Sequence, residues 1–148
     1  MIAVNKLGKH VSPSKEDYLK AIWRLSESGD GSEVGTGALA EALLVSPPAV
    51  SRMIQRMETH GLVSHIPYRG VRLTENGRAV ALKIVRRHRL LERFLADALG
   101  YALGDVHDEA EQLEHHISDE FERRINVLLD YPRHCPHGSL IPAPQSQL

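Results

Sequence analysis

The 148 residues are 42% hydrophobic and 25% charged and include one cysteine, the balance of a soluble globular protein of one ordinary domain or two small ones. No apolar run approaches the ~18 residues that cross a bilayer. Cys135 alone excludes an internal disulfide, and Met1 to His10 lacks the apolar stretch and cleavage site of a signal peptide, so the expectation is a cytoplasmic protein with no membrane contact.

The net charge of −1 hides an uneven distribution. Residues 1–93 carry 15 Lys/Arg against 9 Asp/Glu, a balance of +6, and residues 94–148 carry 3 against 10, a balance of −7. A basic half suits a polyanion and an acidic half rich in histidine suits cations.

In chain order, Ser14 to Ser28 reads as a helix, with Ser14 as cap, Glu16 and Asp17 in the first turn, and Tyr18, Ile22 and Leu25 on one face. Gly29-Asp30-Gly31 breaks the chain. A second helix opens near Thr36 with Leu39, Ala40 and Leu43 apolar, and the short link Leu44-Val45-Ser46 leads to Pro47. Ser46 as cap and Pro47 in the first turn start a third helix, which runs to about His60 with Val50, Ile54 and Met57 inward. Leu62 to Pro67 and Val71 to Leu73, joined by Tyr68-Arg69-Gly70, form a small hairpin. Thr74 caps a long helix that ends before Gly100, a fifth helix covers about Asp105 to His116, and Ser118 caps a sixth that reaches about Leu129. From Tyr131 the prolines at 132, 136, 142 and 144 make an irregular tail.

Three helices and a hairpin are the order of a winged helix-turn-helix. The tight link between helices two and three sets the third at a steep angle, with its first turns free to enter a major groove. The candidate DNA contacts are Thr36 at the start of the second helix, Ser46, Pro48, Ser51, Arg52 and Arg56 on the third, and Arg69 at the wing tip. Serines donate to phosphates, a guanidinium reaches a guanine edge in two bonds, and a wing arginine meets the backbone. A winged helix that only binds proteins is the alternative, and the arginines at 52, 56, 69 and 72 argue against it.

His107, Glu111, Glu114 and His115 stand at i, i+4, i+7 and i+8 on the fifth helix, one stripe that would ordinarily be apolar. His88 and Glu92 make an i, i+4 pair on the long helix, next to Leu90-Leu91. Two imidazoles and two carboxylates on a buried stripe are costly unless they bind something. Nitrogen and oxygen donors suit Mn(II), Fe(II), Co(II) or Zn(II), whereas a solvated face of surface ion pairs is the bland alternative. His134, Cys135 and His137 form a weaker cluster in the Pro-rich tail and read as structural, although a thiol there is able to bind metal; His10, His60, His65 and His116 read as incidental.

At these residues the sequence resembles the family of the diphtheria toxin repressor and the manganese transport regulator. The resemblance is carried by Glu16-Asp17-Tyr18-Leu19, Val45 to Ser51, Gly70 to Thr74, Arg87 to Glu92, and His107 to His115. It implies a mainly α protein: a winged helix-turn-helix over 1–74, then a helical dimerisation and metal-binding domain over 75–148 with an irregular tail, and no SH3-like module. It also implies a primary metal site from Asp17, Glu111, Glu114 and His115 and an ancillary site from His88, Glu92 and His107, with Arg89 close to the ancillary site. Iron-type members place Met and Cys where Asp17 and Glu111 stand, so the carboxylates favour Mn(II) first and Fe(II) next, with Co(II) or Zn(II) substituting in vitro. Lys20 stands where the manganese branch has a Glu, and the iron-type ancillary trio is complete instead.

The expectation is a repressor rather than an enzyme: a homodimer on a palindromic double-stranded operator of metal-homeostasis genes, with metal as corepressor and no small organic substrate. The competing readings are a winged-helix regulator answering a different signal and a small metalloenzyme. The latter lacks a recognisable nucleophile–base pairing.

Overall fold

The computed structural model describes residues 13–27 and 33–144; the Gly29-Asp30-Gly31 break, Ser28 and the segment Met1 to His10 lie outside them. The elements are α1 (Lys15–Glu27), α2 (Thr36–Leu43), α3 (Pro47–Thr59), β1 (Val63–Ile66), β2 (Gly70–Leu73), α4 (Glu75–Asp97), α5 (Val106–Leu113) and α6 (Asp119–Leu128). This is the mainly helical order with one small hairpin that the sequence indicates. The chain divides into two compact units, Met1–Ala81 and Leu82–Leu148.

In the first unit, α1 begins with a reciprocal cap. The Ser14 hydroxyl accepts from the Asp17 amide at 3.2 Å, and the Asp17 carboxylate accepts from the Ser14 amide at 2.9 Å. Tyr18, Leu19, Ile22 and Trp23 of α1 are buried, as are Leu39 and Ala40 of α2, Val50, Ile54 and Met57 of α3, and Val63 and Val71 of the hairpin. Leu44 ends α2 in the left-handed region (φ 57°), and its amide closes back on the last turn, which fixes the angle at which α3 departs. Pro47 then opens α3, and the Ser46 hydroxyl accepts from the Ala49 amide at 3.3 Å.

The hairpin pairs Val63 with Leu73 and Ile66 with Gly70. Next to its turn, it is joined to the segment before α2 by two backbone bonds, Val34 N to Val71 O (2.8 Å) and Val71 N to Val34 O (2.9 Å). Gly70, at φ 125°, lies so close to Val34 that a Cβ would collide with the Val34 carbonyl. The Thr74 hydroxyl accepts from the Gly77 amide at 3.1 Å and caps α4.

The second unit is built on the C-terminal part of α4. Leu90, Leu91 and Leu95 form its core with Val106 and Ala110 of α5, Ile125 of α6 and Ile141 of the tail. Buried Arg87 ties α4 to the start of α6 by donating to the Ile117 carbonyl (2.8 Å) and to the carboxylates of Asp119 and Glu122. The tail is not featureless: His134 bridges Leu140, and Ile141 N donates to Arg133 O at 2.8 Å. It runs back along α4, where Arg93, Arg89 and Arg86 donate to the carbonyls of His134, Leu140 and Pro142. The fifth helix is shorter than its pattern indicates, because Glu114, His115 and His116 form the turn that follows it.

Gly77 supplies a stability test against helix propensity. Glycine to alanine inside a helix ordinarily stabilises by up to ~1 kcal/mol, but a Cβ here would strike the Leu62 carbonyl oxygen. Gly77→Ala is expected to destabilise by about 1–3 kcal/mol in urea unfolding, the magnitude of overpacking.

Candidate metal centre

The leucines that pack α4 against α5 also set which side chains of the second unit face inward beside them. His88 and Glu92, one turn apart on α4, are 2% and 3% exposed, and Glu114 is 0% exposed. His88 stands between the two acids, with Nδ1 2.7 Å from Glu114 Oε2 and Nε2 3.4 Å from Glu92 Oε1. The His107 ring meets it edge-on with centroids 4.9 Å apart. Glu111 Oε1 lies 3.5 Å from His107 Nε2 and 3.9 Å from His88 Nδ1. His115, half-buried, places Nε2 3.4 Å from Glu114 Oε1.

Two trios emerge from these positions. His88, Glu92 and His107 each offer a ligand atom within 4.8 Å of the others, and so do His88, Glu111 and Glu114. His88 belongs to both. Each ring nitrogen of His88 thus faces a carboxylate, Nδ1 that of Glu114 and Nε2 that of Glu92. That is the carboxylate–imidazole arrangement by which proteins orient a metal-binding histidine.

The electrostatics run the same way. Burial pushes the Glu92 carboxyl up, but the hydrogen bond and charge of His88, then the charges of His137 and His107, outweigh it and hold the acid below the usual carboxylate range. Even so, Glu92 Oε2 is buried with no hydrogen bond among the described residues. A buried carboxylate oxygen without a donor is destabilising by itself. Imidazole and carboxylate donors around it fit a divalent transition cation.

The tail brings further donor atoms close to Glu92, from a cluster that the sequence reading takes as structural while allowing its thiol to bind metal. Cys135 is buried, His137 Nδ1 lies 3.2 Å from Glu92 Oε2, and Glu92, Cys135 and His137 offer ligand atoms within 4.8 Å of one another. Glu92 is thus shared between the His88–His107 side and the tail. The signal available in the sequence was Cys135 and His137 on either side of Pro136, in a turn that Gly138 closes by donating to the Cys135 carbonyl at 2.9 Å. His134 is exposed, and its carbonyl accepts from Arg93 of α4. Asp17 lies in the first unit, half-buried in the first turn of α1, with the capping bonds described above.

The candidate DNA residues belong to the first unit. Ser46, Pro48, Ser51, Arg52 and Arg56 of the α3 segment and Arg69 of the wing are exposed, and Thr36 is half-exposed. Those of the α3 segment lie away from the buried row Val50, Ile54 and Met57, so the helix presents an apolar face inward and a small, basic face outward. His60 is exposed and bonded to Lys15, and the His65 amide donates to Glu58; neither joins a cluster.

The chain matches the family "Iron dependent repressor, N-terminal DNA binding domain" over residues 10–71 and "Iron dependent repressor, metal binding and dimerisation domain" over 74–143. It is 42% identical to the diphtheria toxin repressor of Corynebacterium efficiens over 134 residues, which cover 90% of this chain and 57% of that one. It is 38% identical to the HTH-type transcriptional regulator MntR of Oceanobacillus iheyensis over 120 residues, 81% of this chain and 80% of that one. Among solved structures, a manganese-dependent transcriptional repressor in complex with manganese superposes with a TM-score of 0.81 at 45% identity, covering 90% of this chain and 61% of that chain. The chain therefore spans less than two thirds of the diphtheria toxin repressor it matches and most of the MntR. These relatives are named as transcriptional regulators and repressors, not as enzymes. With both halves matched in order, and with an MntR aligned over four fifths of its own length, the chain belongs to the diphtheria toxin repressor and MntR family of metal-dependent transcriptional repressors.

Proposed function

We propose that the protein is a metal-dependent repressor that binds a palindromic DNA operator as a homodimer. Residues 1–74 act as the DNA-binding domain and 75–148 as the dimerisation and metal-binding domain. The observation that carries this reading is the buried His88, Glu92 and Glu114 set with its orphaned carboxylate oxygen, on a chain whose α3 turns Ser46, Ser51, Arg52 and Arg56 to solvent. Exposed Leu99, Tyr101, Leu103, Val127, Leu128 and Tyr131 give the second domain apolar area that a second copy would cover.

On the family pattern, Asp17, Glu111, Glu114 and His115 hold the primary ion, and His88, Glu92 and His107 the ancillary one. A bound divalent cation supplies positive charge that offsets these carboxylates. Hard oxygen donors place Mn(II) ahead of Fe(II) at the primary set. Asp17 belongs to α1 and the other primary ligands to the second domain, so ligation by all four ties the DNA-binding domain to the dimer core. That tie holds the two recognition helices near one turn of DNA apart, ~34 Å. Arg52 and Arg56 then face bases and phosphates, and Arg69 the backbone. A second reading of the ancillary site, with Cys135 and His137 beside Glu92, is favoured by the 3.2 Å approach of His137 to Glu92 Oε2.

The deciding measurement is an anaerobic DNA-binding titration with Mn(II), Fe(II), Co(II) or Zn(II). The probe is a duplex chosen by the protein from a randomised pool. Coupling of typical size, about 1–3 kcal/mol, gives a 5- to 150-fold gain in affinity over the chelator-treated protein. We expect Glu111→Ala with His115→Ala to lose that gain, and equal affinity with Mn(II), Fe(II) and chelator would overturn the proposal.

Metal and apo stabilities should separate in Glu114→Gln. Removing a buried charge is expected to leave the apo protein about as stable or more so. Wild type with Mn(II) at 100 times its dissociation constant gains about 2.7 kcal/mol, and the variant should forfeit most of this in thermal unfolding. Co(II) spectra resolve the ancillary ligands: a thiolate-to-cobalt band that disappears in Cys135→Ser assigns the tail to that ion, and its absence in wild type assigns the ion to His88, Glu92 and His107 alone.

A further inference from the structure

The wing tip carries a residue that the DNA-contact set above leaves out. The Arg69 amide donates to the Ile66 carbonyl at 3.1 Å, which closes a four-residue turn with Pro67 and Tyr68 at its centre. Proline fixes a negative φ at the first central position, and Tyr68 follows at φ 64°. That combination defines a type II turn, whose second central position is the habitual place of glycine because side chains are disfavoured there. Tyr68 is nevertheless fully exposed, so its ring gains nothing from burial in its own chain.

The other non-glycine residues with positive φ among the described residues have internal explanations. Leu44 ends α2 with its amide bonded back to that helix. Asp130 and Tyr131 follow α6, and their amides donate to Val127 and Asn126 carbonyls. Tyr68 alone of these occupies a hairpin tip. The tip is also held firmly: Val34 and Val71 exchange two backbone bonds, and Gly70 presses on the Val34 carbonyl. Arg72, further down β2, is engaged with Glu33 at 2.7 Å. What projects beyond this clamp is Tyr68 and the exposed guanidinium of Arg69. An adverse backbone conformation at an exposed aromatic points to a function met outside the chain.

We propose that Tyr68 is a DNA-contacting residue whose phenol hydroxyl donates to a phosphate oxygen of the duplex backbone beside the groove entered by α3. Tyrosine is among the side chains that contact phosphate, and such bonds fix register without reading sequence. Arg69 supplies charge at the same tip, and Tyr68 supplies direction. This inference rests on the proposal that the protein binds DNA.

The test uses full-length Tyr68→Phe and Tyr68→Gly with Mn(II), on a duplex selected by the wild-type protein from a randomised pool. Tyr68→Gly relieves the turn, so its unfolding midpoint should equal or exceed that of wild type while DNA affinity falls at least fivefold. Tyr68→Phe should lose most of the same affinity with an unchanged midpoint. Both should keep wild-type Mn(II) binding and the wild-type slope of log affinity against log salt, because a neutral hydroxyl releases no counterion, whereas Arg69→Ala should lower that slope by about one. Affinity within twofold of wild type in Tyr68→Gly overturns the contact. Full retention in Tyr68→Phe, or a fall in affinity that tracks a fall in midpoint, overturns it equally. A wild-type protein that selects no duplex removes the DNA reading itself, and this contact with it.

Discussion

Two carboxylates in the interior, Glu92 and Glu114, with a single imidazole between them, are the constraint around which the second unit is organised. Moving an ion of this kind out of water costs several kcal/mol even after relaxation. The pairing of His88 with both acids offsets part of that cost. The apolar packing of Leu90, Leu91 and Leu95 against Val106, Ala110 and Ile125 helps to offset the rest, at roughly 1.5–3 kcal/mol for each fully buried large side chain. The leucines alternate with His88 and Glu92 along one helix, so the packing that stabilises the unit also determines where the donor atoms stand.

The first unit solves a different problem with backbone. The way α3 is presented depends on its angle to α2, and Leu44 sets that angle through a left-handed residue and bonds to the turn before it. The wing is fixed by the Val34–Val71 ladder and by a glycine that leaves no room for a side chain. Neither device uses the exposed residues of α3. Their chemistry can therefore vary without disturbing the frame that presents them.

The fold was largely legible because its signals are local. Ser14, Ser46, Thr74 and Ser118 cap helices where a hydroxyl beside an apolar period indicates a start. Val50, Ile54 and Met57 are buried where their spacing places them. The fifth helix overran in the sequence reading because a stripe of ligand-type residues continues the period through Glu114 and His115, while the backbone turns after Leu113. The pairing of His88 with Glu92 was visible as one helical turn. The approach of Cys135 and His137 to Glu92 was not, since a tail without periodicity encodes its course through long-range contacts. Its anchors are Ile141 in the core and backbone carbonyls that no side-chain pattern reports.

Those carbonyl anchors carry a consequence for sequence change. Arg86, Arg89 and Arg93 grip the tail by main-chain oxygens at Pro142, Leu140 and His134, atoms that every amino acid possesses. The identities of residues 134 and 140 are thereby released from the task of holding the segment in place. Drift at those two positions should be tolerated, whereas loss of an arginine unfastens the strand regardless of what it is made of. The burden of recognition falls on α4, and the tail is left free to specialise at Cys135 and His137.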